Sequence, residues 1–491
     1  MRASQVANLA HDEPAVAQRL PGLPQVAFAS GGEKRPVAVI GSGFSGTMVA
    51  LHLAAWLPAD QTILLCERGA FARGAAYGTP NAGHLLNVRA ANMSAFPRQP
   101  DHFLNWLTAG RRDYPDEVQD TDAGLFASRG LYGRYLFSLL NRAVAGGPSR
   151  VRMMHADVVD IQPDEGGYQL RCADGAVYPV AAAVLAIGNL PPVDTDSPRH
   201  RTNPWAPGAT AGLRPDQPVL IVGTGMTMVD VALELRAAGF PGPVIALSRR
   251  GLLSRRHAAT GRWPTPSFNT AERASLLRLL ERVRQDVRQA ADLGVDWRSV
   301  IDSLRPITAD LWRGLPQAER ARFLRHVRPF WDVHRHRLAA PVADLCDAML
   351  ADGYLDVRRG RVVAMSHGED DVTVMYRRRG AAKAETLVVQ RVINANGLQN
   401  AENADSPLVH ALCARGLGRL DPTGMGLDVT DALHVVAADG VAAPNIWALG
   451  PIVRGVFWEC VAVPDVRTQA EKVARYVWAF LEGAHAAAGG R

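Results

Sequence analysis

The stretch Val37-Ala38-Val39-Ile40-Gly41-Ser42-Gly43-Phe44-Ser45-Gly46 decides the fold of this 491-residue chain. A short β-branched run ends in glycines spaced as G-x-G-x-x-G, and helix-like patterning continues over residues 47–56. This order is typical of a strand, a tight turn and a helix. In such a turn Gly41 permits the bend, Gly43 lets backbone approach a pyrophosphate, and Gly46 lets the helix pack closely on the strand.

An acidic residue ends the second predicted strand. Residues 62–66 are typical of a strand, and Glu67 follows them, twenty-one positions after Gly46. An acid at this distance binds ribose hydroxyl groups, while the amino end of the helix points free N–H groups at the phosphates. The sequence therefore predicts a dinucleotide site. The alternative is an ordinary glycine-rich turn in an α/β protein.

The opening pattern returns at Val219-Leu220-Ile221-Val222-Gly223-Thr224-Gly225-Met226-Thr227, although Met228 replaces the third glycine. Its second strand, residues 243–248, ends in Arg249 and Arg250 rather than in an acid. An arginine there pairs with a 2′-phosphate, which a carboxylate would repel. The second nucleotide is therefore predicted to be NADPH. The alternative is a pair of solvated arginines beside a loop.

Between and after these motifs the hydrophobic pattern changes and indicates further elements. Residues 151–180 alternate like short strands with turn signals, which indicates a β-meander, and residues 270–350 are helical and rich in arginine, which indicates an insertion. Three further buried strands end in glycine, at Gly188, Gly397 and Gly450. We expect the first and the last of them to rejoin the first sheet.

Composition excludes several classes of function. The net charge of +6 is spread along the chain, and no apolar run approaches eighteen residues, so neither nucleic-acid nor membrane binding is predicted. The five cysteines lie far apart and form no C-x-x-C, which favours a reducing, cytoplasmic compartment and no dithiol relay. No metal is predicted, because His334 and His336 are two positions apart and do not share a helix face. The arginines and histidines of residues 330–337 either form a salt-bridged surface or meet an anion.

Two dinucleotide motifs with a C-terminal return to the first sheet resemble the two-dinucleotide-binding-domain flavoproteins. Residues 41–46, Leu86-Asn87 with Met93-Ser94, residues 248–251, 331–337 and 462–467 further resemble a bacterial family of FAD/NAD(P)-binding proteins that includes FAD-dependent urate hydroxylases. The FAD contacts implied are Gly41, Gly43, Phe44, Ser45, Gly46, Glu67, Arg68, Asn87, Ser94, Val158, Gly188 and Gly450, and the NADPH contacts implied are Gly223, Gly225, Met226, Thr227, Arg249 and Arg250.

The resemblance implies an α/β fold with two Rossmann-like domains, one for FAD and one for NADPH. We predict a disordered leader over residues 1–35 and an FAD-binding domain made of residues 36–195 and 398–491. Residues 196–397 are expected to form the NADPH-binding domain, with a helical insertion at about 256–350 and a β-meander elsewhere in the chain.

The chain departs from wider flavoprotein patterns in two places. Pro451 follows Gly450 where many flavoproteins carry an aspartate, and residues 203–208 lack the F-x-G-x-x-x-H fingerprint of Baeyer–Villiger monooxygenases. Ketone oxygenation is accordingly disfavoured. The catalytic candidates are Arg454, Trp458 and Glu459, which follow the last glycine-ended strand. Packing in the protein interior is the alternative role for Trp458.

Three hypotheses for the function follow. The first is an NADPH-dependent monooxygenase that uses O2 to hydroxylate a small polar or nitrogen-containing substrate through a flavin hydroperoxide. The second is an NADPH-dependent flavin reductase or dehydrogenase without oxygen insertion. The third is a non-catalytic protein that responds to nucleotides. No oligomeric state is predicted.

Overall fold

Short β-branched runs and the helices between them give the chain two separate parallel sheets. The computed structural model describes residues 34–145, 150–190, 192, 197–206, 208–397, 401 and 404–489. Nearly all of the predicted leader, residues 1–33, lies outside the described residues.

The regular elements are numbered in chain order. The strands are β1 (Val37–Ile40), β2 (Ile63–Glu67), β3 (Val118–Thr121), β4 (Gly124–Ala127), β5 (Val151–His155), β6 (Val158–Asp164), β7 (Gly167–Cys172), β8 (Val177–Val180), β9 (Ala182–Leu185), β10 (His200–Arg201), β11 (Val219–Val222), β12 (Val244–Ser248), β13 (Leu355–His367), β14 (Val372–Arg378), β15 (Glu385–Val389), β16 (Arg391–Asn394), β17 (His434–Val436) and β18 (Ala442–Ala448). The helices are α1 (Phe44–Trp56), α2 (Gly74–Tyr77), α3 (His102–Ala109), α4 (Arg129–Ala145), α5 (Met226–Ala237), α6 (Thr270–Arg273), α7 (Leu276–Asp292), α8 (Trp297–Ser303), α9 (Thr308–Gly314), α10 (Gln317–Arg322), α11 (Arg328–Arg335), α12 (Ala340–Ala351), α13 (Pro407–Ala414) and α14 (Val463–Gly489).

The first sheet has the strand order β17-β18-β9-β1-β2-β5, and only the edge pair β17–β18 is antiparallel. Strands β1 and β9 are buried along their whole length, as expected for a parallel sheet covered on both faces. The last strand, β18, pairs with β9, so the C-terminal part of the chain completes a sheet that begins at residue 37. The predicted return to the first sheet is confirmed.

The second sheet has the order β10-β16-β11-β12-β13-β14-β15. Its first five strands are parallel, and β14 and β15 extend it as antiparallel neighbours. Strands β6, β7 and β8 form a separate antiparallel sheet, which confirms the predicted β-meander for residues 158–180. The prediction was wrong for residues 151–155, because β5 pairs in parallel with β2 and belongs to the first sheet. The predicted fold class, α/β with two Rossmann-like domains, is confirmed.

The helices between β12 and β13 have two different roles. Helices α6 to α11 pack outside the second sheet, whereas α12 places Val342, Cys346 and Met349 in the core of that sheet. A parallel strand pair needs a crossover, and α12 supplies it for β12 and β13. The insertion predicted at about 256–350 therefore includes one helix, α12, that packs on the second sheet.

Buried contacts join the two sheets. Leu85 and Phe126 belong to the first half of the chain but pack in the core of the second sheet. Arg129 of α4 forms a buried ion pair with Asp230 of α5 at 2.9 Å. Burial raises the pKa of Asp230, although the Arg129 charge opposes the shift.

Within the part of the chain that the structure describes, none of the helices combines the length and apolar character needed to cross a bilayer.

Candidate functional site

We call residues 41–46 the first cradle. Close packing explains why two of its three glycine positions need glycine. A Cβ at Gly46 would lie 1.8 Å from the carbonyl oxygen of Gly41, and Gly41 itself has a φ of +93°. At Gly43, by contrast, a Cβ would meet only the Cα of Gly74, at 3.6 Å. Helix α1 has no side-chain cap and no acid in its first turn, so its amino end leaves N–H groups for an anion. The open side of Gly43 fits the approach of a pyrophosphate.

Glu67 is held in place beside this cradle by a residue that the sequence analysis did not single out. Ser42 donates to one carboxylate oxygen of Glu67 from its main-chain nitrogen, at 2.7 Å, and from its hydroxyl, at 3.1 Å. The main-chain nitrogen of Gly69 donates to the other oxygen at 2.9 Å. Each oxygen keeps lone pairs, so the oriented carboxylate can also accept from ribose hydroxyl groups.

The C-terminal return brings Gly450 to the amino end of α1. A Cβ at Gly450 would lie 2.7 Å from the hydroxyl of Ser45, and Gly450 has a φ of +76°. Its main-chain nitrogen donates to the side chain of Gln469 of α14 at 2.9 Å. Gly188 follows β9 at the same edge of the sheet, with a φ of +69° and open space where a Cβ would be. The structure thus brings together residues that are 405 positions apart in sequence, from Ser45 to Gly450.

The remaining predicted FAD contacts differ in their surroundings. Val158 is buried at the start of β6, close to Ala156, whose nitrogen donates to the carbonyl oxygen of Glu67 at 3.0 Å. Arg68 is exposed. Ser94 is fully buried, and its hydroxyl bonds the main chain of residues 96 and 99 within its own loop. The hydroxyl of Ser94 therefore has a structural role in this loop.

The second cradle, residues 223–227, also has one glycine packed against backbone and one with open space beside it. A Cβ at Gly223 would lie 2.2 Å from the carbonyl oxygen of Ala395, and the φ of Gly223 is +125°. A Cβ at Gly225 would meet nothing within 4 Å. Helix α5, which begins at Met226 with Thr227 next, has neither a side-chain cap nor an acid in its first turn. Gly225 therefore leaves room for a ligand rather than for protein.

Because the surroundings of Gly225 are open, a substitution there should change NADPH binding without changing stability. The Gly225→Ala variant is expected to keep the thermal stability of the wild type, because no protein atom lies near the added methyl group. It should weaken NADPH binding about tenfold, since the methyl group occupies the path of the phosphates. Titration of NADPH and a thermal melt of the same preparation measure both effects. Unchanged NADPH affinity would contradict a phosphate at this position.

Three arginines, rather than the two predicted, lie at the end of β12. Arg249 is exposed, whereas Arg250 donates to the main chain of His326 at 3.4 Å and lies over the ring of Phe330 at 5.1 Å. The third is Arg359 of β13, which pairs with Ser248 in register and passes over Gly251. Sequence analysis missed Arg359, because only the pairing of β12 with β13 brings it there.

Asn87, one of the predicted FAD contacts, touches the second cradle. Its side-chain amide lies 3.7 Å from the sulfur of Met226, the first residue of α5. Its main-chain oxygen accepts from His257 at 3.0 Å. We call this contact between Asn87 and Met226 the seam, because it joins a predicted FAD contact to the second cradle.

Glu459 is the centre of a buried junction between the inserted helices and the C-terminal segment. Trp331 donates to Glu459 at 2.7 Å, Arg335 forms an ion pair with it at 3.1 Å, and His336 lies 3.5 Å away. Burial would raise the pKa of Glu459, but the charges of His336 and Arg335 lower it to about 2. Glu459 also has a φ of +73°, which is strained for a residue other than glycine. Its carboxylate therefore holds the insertion in place.

The other two catalytic candidates, Arg454 and Trp458, are also buried beside the insertion. The ring of Trp458 packs against Trp312 at 4.9 Å and against Phe323 at 5.3 Å, and Trp312 donates to the carbonyl oxygen of Gly455 at 2.8 Å. Burial lowers the pKa of Arg454 to about 10. Trp458 therefore packs in the interior, and a part in catalysis stays a prediction.

A metal site is not formed by the residues that the structure describes. No three His, Cys, Asp or Glu side chains among them lie close enough to share an ion. His334 bonds the carbonyl oxygen of Phe330 at 2.7 Å, and its neighbour His336 contacts Glu459 instead.

Comparison with known proteins agrees with this geometry. The FAD-NAD(P)-binding family matches residues 38–190, which carry the first cradle. The reduced form of ornithine hydroxylase from Pseudomonas aeruginosa superposes with a TM-score of 0.61 at 16% identity, covering 91% of this chain and 100% of that one. The chain has the two-dinucleotide-binding flavoprotein fold. The resemblance predicted from the two cradles is confirmed.

Similarity to other proteins also extends over nearly the whole chain. L-lysine 6-monooxygenase from Pseudomonas syringae superposes with a TM-score of 0.60 at 17% identity, covering 91% of this chain and 100% of that one. Uncharacterized proteins from Mycobacterium tuberculosis and Mycobacterium bovis are each 22% identical, over 91% of this chain and 96% of theirs.

Proposed function

We propose that this chain is an FAD- and NADPH-dependent monooxygenase that hydroxylates a small polar, nitrogen-containing substrate with O2. The observation that carries the proposal is the seam, where Asn87 of the first half of the chain contacts Met226 of the second cradle. Electron transfer from one nucleotide to another requires their rings to meet, and a predicted FAD contact lying against the second cradle supports such a meeting. Solved proteins of this fold include enzymes whose names describe hydroxylation of ornithine and monooxygenation of lysine and cadaverine.

The residues present fit both cofactors. We assign FAD to the first cradle, where the open side of Gly43 accepts the pyrophosphate and Glu67 accepts from the ribose. We assign NADPH to the second cradle, with Arg249 and Arg359 near the 2′-phosphate. FAD supplies hydride acceptance from NADPH and activation of O2 when it is bound. The protein orients both cofactors and excludes water.

The second candidate is an NADPH-dependent reductase, and the cysteines argue against one form of it. All five thiols are unpaired, and burial raises the pKa of each, to about 12 for Cys66 and about 11 for Cys346. A dithiol relay needs adjacent thiols of low pKa. Electrons must therefore leave for O2 or for a bound molecule. The third candidate, a protein that binds nucleotides without turnover, is separated from both by experiment.

Purified protein tests the proposal directly. We expect a yellow protein whose flavin absorbance is bleached by NADPH under anaerobic conditions. With the right substrate, oxygen uptake should rise while peroxide release stays low. Bleaching with stoichiometric peroxide for every compound tested, urate and small amines included, would favour the reductase. A coloured protein that NADPH does not bleach would support the non-catalytic candidate.

The arginines predict the choice between NADPH and NADH. The Arg249→Ala variant is expected to weaken NADPH binding about tenfold to a hundredfold, because a charge-assisted bond to the 2′-phosphate is lost. The affinity for NADH should change little. Arg250→Ala is the matched control: the Arg250 side chain contacts the insertion, so we expect a smaller loss for NADPH. Equal losses for NADPH and NADH in the Arg249 variant would count against the phosphate role.

A further inference from the structure

A cluster of basic side chains lies beside the seam, and we call Arg89, His257 and Arg337 the basic cluster. His257 donates through Nε2 to the main-chain oxygen of Asn87, at 3.0 Å. Arg89 donates to the main-chain oxygen of Ala258 at 3.0 Å. The main-chain nitrogen of His257 donates to the residue that follows Arg337, at 2.8 Å. Three distant segments of the chain therefore meet at this cluster.

The guanidinium groups of the cluster have donors without acceptors. Arg337 is only 2% exposed, and its single side-chain partner is Asp302. Its Nε and Nη1 atoms, and the Nε of Arg89, are buried with no hydrogen-bond partner in the structure. Buried polar groups in proteins are nearly always bonded, so these three nitrogen atoms are free to donate to an oxygen of a ligand or of a water molecule.

His257 adds an acceptor to these donors. A main-chain oxygen only accepts, so the hydrogen of the ring lies on Nε2 and the neutral ring has a lone pair on Nδ1. That Nδ1 is also buried without a partner. Burial, helped by the charges of Arg337 and Arg89 and opposed by the Asn87 hydrogen bond and Asp302, lowers the pKa of His257 to about 4. The ring is therefore neutral at pH 7.

The charges at the cluster do not balance. With His257 neutral, two guanidinium groups face one carboxylate, that of Asp302, whose side chain is 39% exposed. Phe126 covers the ring of His257 at 5.4 Å between centroids, which keeps this side of the cluster apolar. An excess positive charge held away from water attracts an anion.

We propose that the basic cluster binds the anionic end of the substrate, which we infer to be a small carboxylate with an N–H or O–H group beside its carboxyl oxygens. The oxygens accept from Arg89 and Arg337, and the N–H or O–H group donates to Nδ1 of His257. This inference rests on the proposed function, because the location beside Asn87 and Met226 is what makes the anion a substrate. The class of ligand follows from the donors and the acceptor alone.

Binding of simple carboxylates tests the proposal without a known substrate. The FAD-loaded protein is titrated with acetate and benzoate, and with the uncharged acetamide and benzamide as matched controls. Binding is followed by the flavin difference spectrum and by the rise in melting temperature. We expect saturable binding of the carboxylates and none of the amides at the same concentration.

Two arginine variants test which side chains bind the carboxylate. Arg89→Ala, and separately Arg337→Met, should weaken benzoate binding about tenfold or more, since each loses a charge-assisted bond. Arg322→Ala is the control, because Arg322 lies on an inserted helix and pairs at the surface with Glu319. If the Arg337 variant folds poorly, the Arg89 variant decides. An unchanged affinity in that variant overturns the proposal.

The carboxylate titrations can also give results that contradict the proposal. No saturable binding of either carboxylate, or equal binding of benzoate and benzamide, overturns the proposal. Displacement of benzoate by NADP+ would assign the anion to the cofactor instead of the substrate. Failure of the proposed function looks different: NADPH would not bleach the flavin, while the melting temperature would still rise with benzoate.

Discussion

The Gly46→Ala variant is expected to lose bound flavin and more than about 3 kcal/mol of unfolding free energy. The added methyl group would lie 1.8 Å from the carbonyl oxygen of Gly41 and 3.2 Å from the Cβ of Ala186. Backbone cannot move away as a flexible side chain can, so α1 would have to separate from β1. Both are central to the first core. The flavin-to-protein ratio and denaturant unfolding measure the effect.

Gly43→Ala is the matched control for this prediction. Its added methyl group would be in ordinary contact with Gly74, and the φ of Gly43 is −63°, which alanine adopts freely. We expect unfolding free energy within about 1 kcal/mol of the wild type but much less flavin, because the methyl group fills the space for the pyrophosphate. A Gly46→Ala protein of normal stability would refute the packing argument, and full flavin in the Gly43 variant would refute the phosphate argument.

Glu459→Ala is expected to lower the unfolding free energy by about 3–5 kcal/mol, because it leaves the buried Arg335 without its carboxylate. Trp331 also loses the acceptor of its indole N–H. Asp431→Asn is the control at the same face: Asp431 pairs with Arg313 of the insertion but is 83% exposed, so its loss should cost about 1 kcal/mol or less. Denaturant titration of the three proteins at pH 7 gives the comparison.

The contribution of Glu459 to the free energy of unfolding should decrease as the pH is lowered. Its pKa falls from the usual 4.5 to about 2 in the folded protein, so its contribution is complete above pH 4.5 and is lost as the pH falls toward 2. The difference in unfolding free energy between the wild type and Glu459→Gln should therefore shrink across that interval. A difference that stays constant from pH 5 to pH 2 would show that the carboxylate charge is not responsible.

The sequence by itself determined the two cradles and the fold that contains them. Glycine spacing after a β-branched strand is a local signal, because the turn, the helix start and the acid at Glu67 all lie within about thirty residues. The repeat at Gly223 and Gly225 added the second sheet for the same reason. Even the return of the last strand to the first sheet followed from its pattern, since a buried strand ending in glycine has few places in such a fold.

The tertiary structure alone decided which side chains from distant segments come together. Arg359 joins Arg249 only because β12 and β13 are neighbours, and the partners of Glu459 come from a segment more than 120 positions earlier. The basic cluster combines Arg89 with His257 and Arg337, and no pattern in the sequence reveals that nitrogen atoms of all three are buried without a partner. Local motifs fix backbone turns, because those depend on neighbouring residues, whereas charge balance and burial depend on contacts between distant segments. For this reason the sequence predicted the two cradles, and only the folded chain showed which distant side chains come together.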